Sequence, residues 1–207
     1  MGRPDTARTT AQHRRAAPVA GAQGNEKLTA MTGAVLLVGF AVEGLTVLEI
    51  HRLLYWHFLL GLVLIGPVLL KISSTLYRFV RYYAGSAPYV RKGPPAPFLR
   101  VLGPLVILTS VAVLATGVIL AVAGRGGPWL FLHKASFVLW FGVMTIHVLN
   151  YAPRLPRMLG ARSDLGGRGV AVPGGLARWF LLAASLVAGV GVAAVTMHMS
   201  GSWGVSF

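Results

Sequence analysis

The sequence predicts an all-α protein, a polytopic membrane helix bundle with five transmembrane helices. Three observations predict it. Only 12% of the 207 residues are charged, about half the share usual in a soluble domain. Hydrophobic residues make up 55% and the mean hydropathy is +0.69. The apolar residues are also gathered into blocks of about twenty, the length a helix needs to cross hydrocarbon. Inside lipid each block must satisfy its own backbone amides, which a helix does, and the alternation of a β-barrel strand is absent.

The five blocks are residues 29–49, 54–76, 101–123, 132–152 and 179–198. Residues 1–27 have no apolar periodicity and read as a disordered basic tail. Residues 28–199 read as the bundle and 200–207 as a short outer tail. Arg14 and Arg15 do not make a twin-arginine signal, because Ala-Ala-Pro follows and the next apolar run begins only near Leu28. The first block has no small-residue cleavage site after it and is expected to stay as a membrane helix.

Orientation follows from the connections. Fifteen Lys and Arg precede block one or lie between blocks two and three and between four and five, against Arg52, Arg125 and Lys134 on the other side. The positive-inside rule then puts the N-terminus in the cytoplasm and the C-terminus outside a bacterial plasma membrane. The net charge of +14 is thus largely topological. Spread over three segments instead of one patch, it argues against nucleic acid as a partner. Trp56, Trp129 and Trp203 fall near the expected outer interface and Trp179 near the inner one, as an aromatic belt would place them.

The chain has no cysteine, which excludes disulfides, thiolate-ligated iron–sulfur clusters and covalent C-x-x-C-H haem. Any metal must be held by nitrogen, oxygen or Met sulfur. No phosphate loop or dinucleotide fingerprint is present, so the chain cannot by itself take hydride from a nicotinamide.

An ionisable side chain inside a span is costly and is by default a functional candidate. Glu43, His57, Lys71, His133, His147 and His198 meet this condition. His133 and His147 are fourteen residues apart on one span, which returns them to within about 40° of one face at depths differing by roughly 21 Å. Phe137, Trp140 and Met144 continue that stripe. His57 and Lys71 repeat the fourteen-residue spacing on the second span, so His57 matches His133 in depth and Lys71 matches His147. The outer pair, His57 and His133, has the residue types for both axial ligands of one low-spin haem iron suited to electron transfer. The alternative is that these histidines hydrogen-bond between helices as polar glue. Gly61, one turn below His57, is expected to leave room for a porphyrin against the backbone.

His57-x3-Gly61-x9-Lys71, the basic-aromatic run RFVRYYAGSAPYVRKGPP and LHKASFVLWFGVMTIHVL together resemble the membrane b-type cytochromes that serve hydrogenases, formate dehydrogenases and related periplasmic oxidoreductases, within the bacterial di-haem cytochrome b superfamily. The likeness covers roughly residues 53–152, about half the chain. It implies a four-helix haem-binding core plus one further helix. It also implies one or two non-covalent b haems on His ligands, and electron transfer between quinone and an outer-face oxidoreductase subunit. The chain departs from that pattern at Lys71, where a second inner histidine would be wanted. Lys71 is expected to snorkel to the headgroups, leaving His147 as an inner ligand without an assigned partner.

Other candidates surround this pair. Glu43 could accept a proton from quinol, bond a propionate or quinone, or pair with a polar group of a neighbouring helix; Lys71 is the second quinone or proton candidate. Arg52 and Arg125 could pair with propionates. His51 and His198 are alternative outer ligands, and Met197, His198 and Met199 are read as an exposed helix end before a copper site. The expected function is therefore electron transfer by a subunit of an oxidoreductase complex. A haem-free assembly, anchoring or proton-relay subunit is the alternative.

Overall fold

The computed structural model describes residues 6–94, 97–124, 126–154 and 174–199. They form α1 (Thr6–Leu48), α2 (Ile50–Tyr83), the short α3 (Ala87–Val90), α4 (Pro97–Ala123), α5 (Trp129–Tyr151), a 3-10 turn (Ala152–Arg154) and α6 (Gly175–Met199), with no strand among the described residues. Five segments are long and apolar enough to cross a membrane: Gly21–Leu48, Ile50–Tyr83, Pro97–Ala123, Trp129–Tyr151 and Gly175–His198. The fold is all-α and fits a multi-pass membrane protein. Exposed Leu108, Val138, Leu149 and Val187 suit a surface wetted by lipid, where an apolar side chain needs no protein cover.

Two boundaries differ from the sequence reading. The segment expected as a disordered tail is helical from Thr6, and Ala22 and Lys27 are already buried. Packing therefore starts well before residue 28, because Asn25, Glu26 and Lys27 find polar partners that an apolar count does not register. At its far end α2 continues to Tyr83. Its 34 residues span about 51 Å against a hydrocarbon core of about 30 Å, so the basic turns RFVRYY extend beyond lipid. Residues 200–207 lie outside the described residues.

α2 is the hub. It packs along α1 on one side and α6 on the other, while α4 packs along α5. Leu36, Leu64 and Val68 form one core cluster, with Phe40, Ile72 and Leu114 around it. Leu62, Ala193 and Met197 form a second, with Leu59 and Val118. Helices α2 and α5 do not run against each other. Trp140 is the one buried residue of α5. Its ring meets Phe40 of α1 edge-on at 4.8 Å, and its indole N–H donates to the Ser110 hydroxyl of α4 at 3.0 Å.

Pro67 lies inside α2 and is completely buried. Having no N–H, it leaves the Val63 carbonyl without its usual helical partner. The backbone of α6 fills the gap, since a Cβ on Gly189 would overlap that carbonyl and one on Gly66 would overlap the carbonyl of Ser185. Small residues at such a crossing let two membrane helices approach to backbone contact, where Cα–H groups can face carbonyl oxygens.

Candidate functional site

The seam between the α1–α2–α6 group and the α4–α5 pair carries the ionisable residues. Near one end, His57 of α2 and His133 of α5 face each other with ring centroids 6.3 Å apart and planes at 70°. The equal depth read from their spacing is realised, although their helices do not pack along each other. Both rings are partly buried.

His57 is held through Nδ1. Glu43 Oε1 of α1 lies 3.0 Å from it, and Thr46 Oγ1, one turn further along α1, is also 3.0 Å away. Thr46 donates its own proton to the Glu43 carbonyl at 2.6 Å, so toward the imidazole its oxygen accepts. His133 is also contacted through Nδ1, by Thr116 Oγ1 of α4 at 3.3 Å. Thr116 in turn meets Ser136 at 3.0 Å and donates to the Ala112 carbonyl at 2.7 Å. Each histidine thus rests on a threonine of a neighbouring helix.

Gly61 has a different role from the one expected. It does not open a slot beside His57; a Cβ there would come within 3.1 Å of Glu43 Oε1, so the missing side chain makes room for the carboxylate. Across the site, Gly117 plays the same part for His133, whose ring a Cβ would approach to 3.1 Å.

Seven residues from each histidine of α5, Trp140 separates this level from the next. At that level stand His147 of α5 and, on α2, Lys71, fourteen residues from His57. His147 stacks at a tilt against Tyr151, 4.7 Å between centroids. Lys71 does not snorkel. Its ammonium donates to the Thr29 carbonyl of α1 at 2.6 Å, in space that a side chain at Gly33 would occupy. Below it Asn25 donates to the Ser74 carbonyl at 2.9 Å, and Thr29 and Ser74 bond each other at 2.9 Å.

The remaining candidates lie apart from this seam or outside the described residues. His51 and Arg52 are exposed on the first turn of α2, just before the non-helical Leu53. His198 is exposed and lines an α2–α6 groove with Tyr55, Leu59 and Met197. Arg125 lies outside the described residues. No group of three or more His, Cys, Asp or Glu able to hold a metal ion occurs among the described residues.

Comparison with known proteins gives no match. No family model, curated protein or solved structure is similar to this chain.

Sequence reasoning missed the hydroxyls: Thr46, Thr116, Ser136 and Ser110 all bond residues of the site. Their signal was present as Ser and Thr inside apolar spans, where a side-chain oxygen must find a partner within the protein. Which ring each would meet depends on helix pairing, which spacing along one helix does not give.

Proposed function

We propose that the chain is a membrane-bound b-type cytochrome that carries electrons between quinone and a redox subunit at its outer face, as part of an oxidoreductase complex. The observation that supports this most is the facing pair His57 and His133. One metal ion held between two imidazoles through nitrogens about 2 Å from it would set the ring centroids about 6 Å apart. The 6.3 Å between these rings fits that span. Contacts at Nδ1 on both rings leave the Nε2 nitrogens for the iron, the arrangement in which outer partners orient metal-bound histidines.

When bound, haem b supplies a one-electron iron couple. His57 and His133 would hold it, Glu43, Thr46 and Thr116 fix the ring orientations, and Trp140, Phe40 and Phe137 close the interior below the pair against water. Lys71 and His147 offer hydrogen-bond donors at the second level. They do not present two imidazoles, so one haem per chain is the expected load. The same reading takes the basic connections as cytoplasmic and the His57 end as the outer one.

The test is the oxidised and dithionite-reduced optical spectrum of the detergent-purified protein, with haem per chain from a pyridine extract. One b haem, lost in His57→Ala and in His133→Ala, is expected. Full haem in both variants would overturn the ligand assignment. Protein made with ample haem and showing no Soret band would overturn the cytochrome reading and favour a proton relay through Glu43, His57 and Lys71.

A further inference from the structure

We propose that Glu43 is the positioning residue of the His57–His133 site: it fixes the orientation of His57 and makes it the stronger electron donor of the two axial imidazoles, which sets the potential of the site. This rests on the haem reading above.

Three features of the structure carry it. First, the two rings have unequal partners. His133 leans on the neutral Thr116 hydroxyl, whereas His57 has both a hydroxyl and the Glu43 carboxylate at its Nδ1. Because the Thr46 proton is committed to the Glu43 carbonyl, Nδ1 faces two acceptors and is the protonated nitrogen. The lone pair then lies on Nε2, and a carboxylate accepting the Nδ1 proton increases the basicity of the ligating nitrogen.

Second, Glu43 Oε2 is buried with no hydrogen-bond partner among the described residues. A carboxylate so desolvated would be expected to find a donor for each oxygen. Among the described residues the imidazole N–H is the side-chain donor set against it, and none of them competes with His57 for the carboxylate. Third, α2 makes space for it. Gly61 stands where any side chain would press on Oε1, and it does so one turn from His57, on the same helix.

A negative charge behind an axial imidazole favours ferric over ferrous iron, so removing it raises the midpoint potential. The experiment is a redox titration, followed optically, of the full-length detergent-purified protein as wild type, Glu43→Gln and Glu49→Gln. Glu43→Gln is expected to keep its haem and low-spin spectrum while its midpoint rises by at least a tenfold change in the one-electron equilibrium, about 59 mV. Glu49→Gln, which alters an exposed carboxylate, is expected to stay at the wild-type value. Gly61→Ala presses on the carboxylate without deleting it and should shift the midpoint in the same direction by a smaller amount; it serves if Glu43→Gln does not accumulate. Glu43→Gln that is loaded with haem and has an unchanged midpoint overturns the role of Glu43 and leaves the cytochrome reading intact. Wild-type protein without haem overturns both, and the spectrum shows this before any potential is measured.

Discussion

The carbonyl of Val63 and the Cα of Gly189 meet where α2 crosses α6, at the point where Pro67 has removed the helical partner of that carbonyl. A proline inside a membrane helix would otherwise leave an unsatisfied acceptor in a medium without water. Here a neighbouring helix without a side chain covers it. Gly189→Ala and Gly66→Ala are expected to force the helices apart and to cost about 1–3 kcal/mol, the range for overpacking a tight contact. Thermal unfolding in detergent checks this, with Gly191→Ala as a control, because a Cβ at Gly191 meets nothing within 4 Å.

Trp140 ties α5 to α1 and α4 through one ring and one hydrogen bond. Trp140→Phe keeps most of the apolar surface but removes the donor to buried Ser110, an expected loss of about 1 kcal/mol. Trp140→Ala empties the centre of the seam, an expected loss of about 3–5 kcal/mol. Denaturation midpoints of the two variants should separate accordingly. Equal losses would mean that the hydrogen bond carries the whole effect.

Lys71 stands at the depth of His147 where an imidazole would complete a second ligand pair. Lys71→His is expected to raise haem content from one toward two per chain, measured by pyridine extraction. A content unchanged from wild type would show that the space between the two residues is closed to a second haem.

The ion pair between Glu26 of α1 and Lys92 after α3 is about one-third exposed on each side. Pairs in such positions contribute little, so Glu26→Ala is expected to change stability by less than about 1 kcal/mol. The change should shrink further as salt is raised. A larger loss that persists in high salt would mean that the contact sets the docking of α3 on α1.

The helices and the two matched depths were legible in the sequence because both rest on distance along an axis. Twenty apolar residues must cross the bilayer, and fourteen residues return a side chain to nearly the same face two-thirds of the way across it. What was not legible depends on which helices are neighbours. Lys71 looked free to snorkel because nothing along α2 opposes it; Gly33 and the Thr29 carbonyl, both on α1, hold it instead. Gly61 looked like space for a flat ligand because the residue filling that space, Glu43, also lies on α1. The packed start of α1 was hidden for a related reason: Asn25 and Glu26 are polar, and their partners Ser74 and Lys92 are far away in sequence.

The crossing of Gly66 with Gly189 also orders the biosynthesis of the protein. About 120 residues separate the two glycines, and at 5–20 residues per second a ribosome needs roughly 6–25 s to make them. Throughout that interval the Val63 carbonyl of α2 lacks the backbone that covers it in the finished fold, and α6 must arrive to close it.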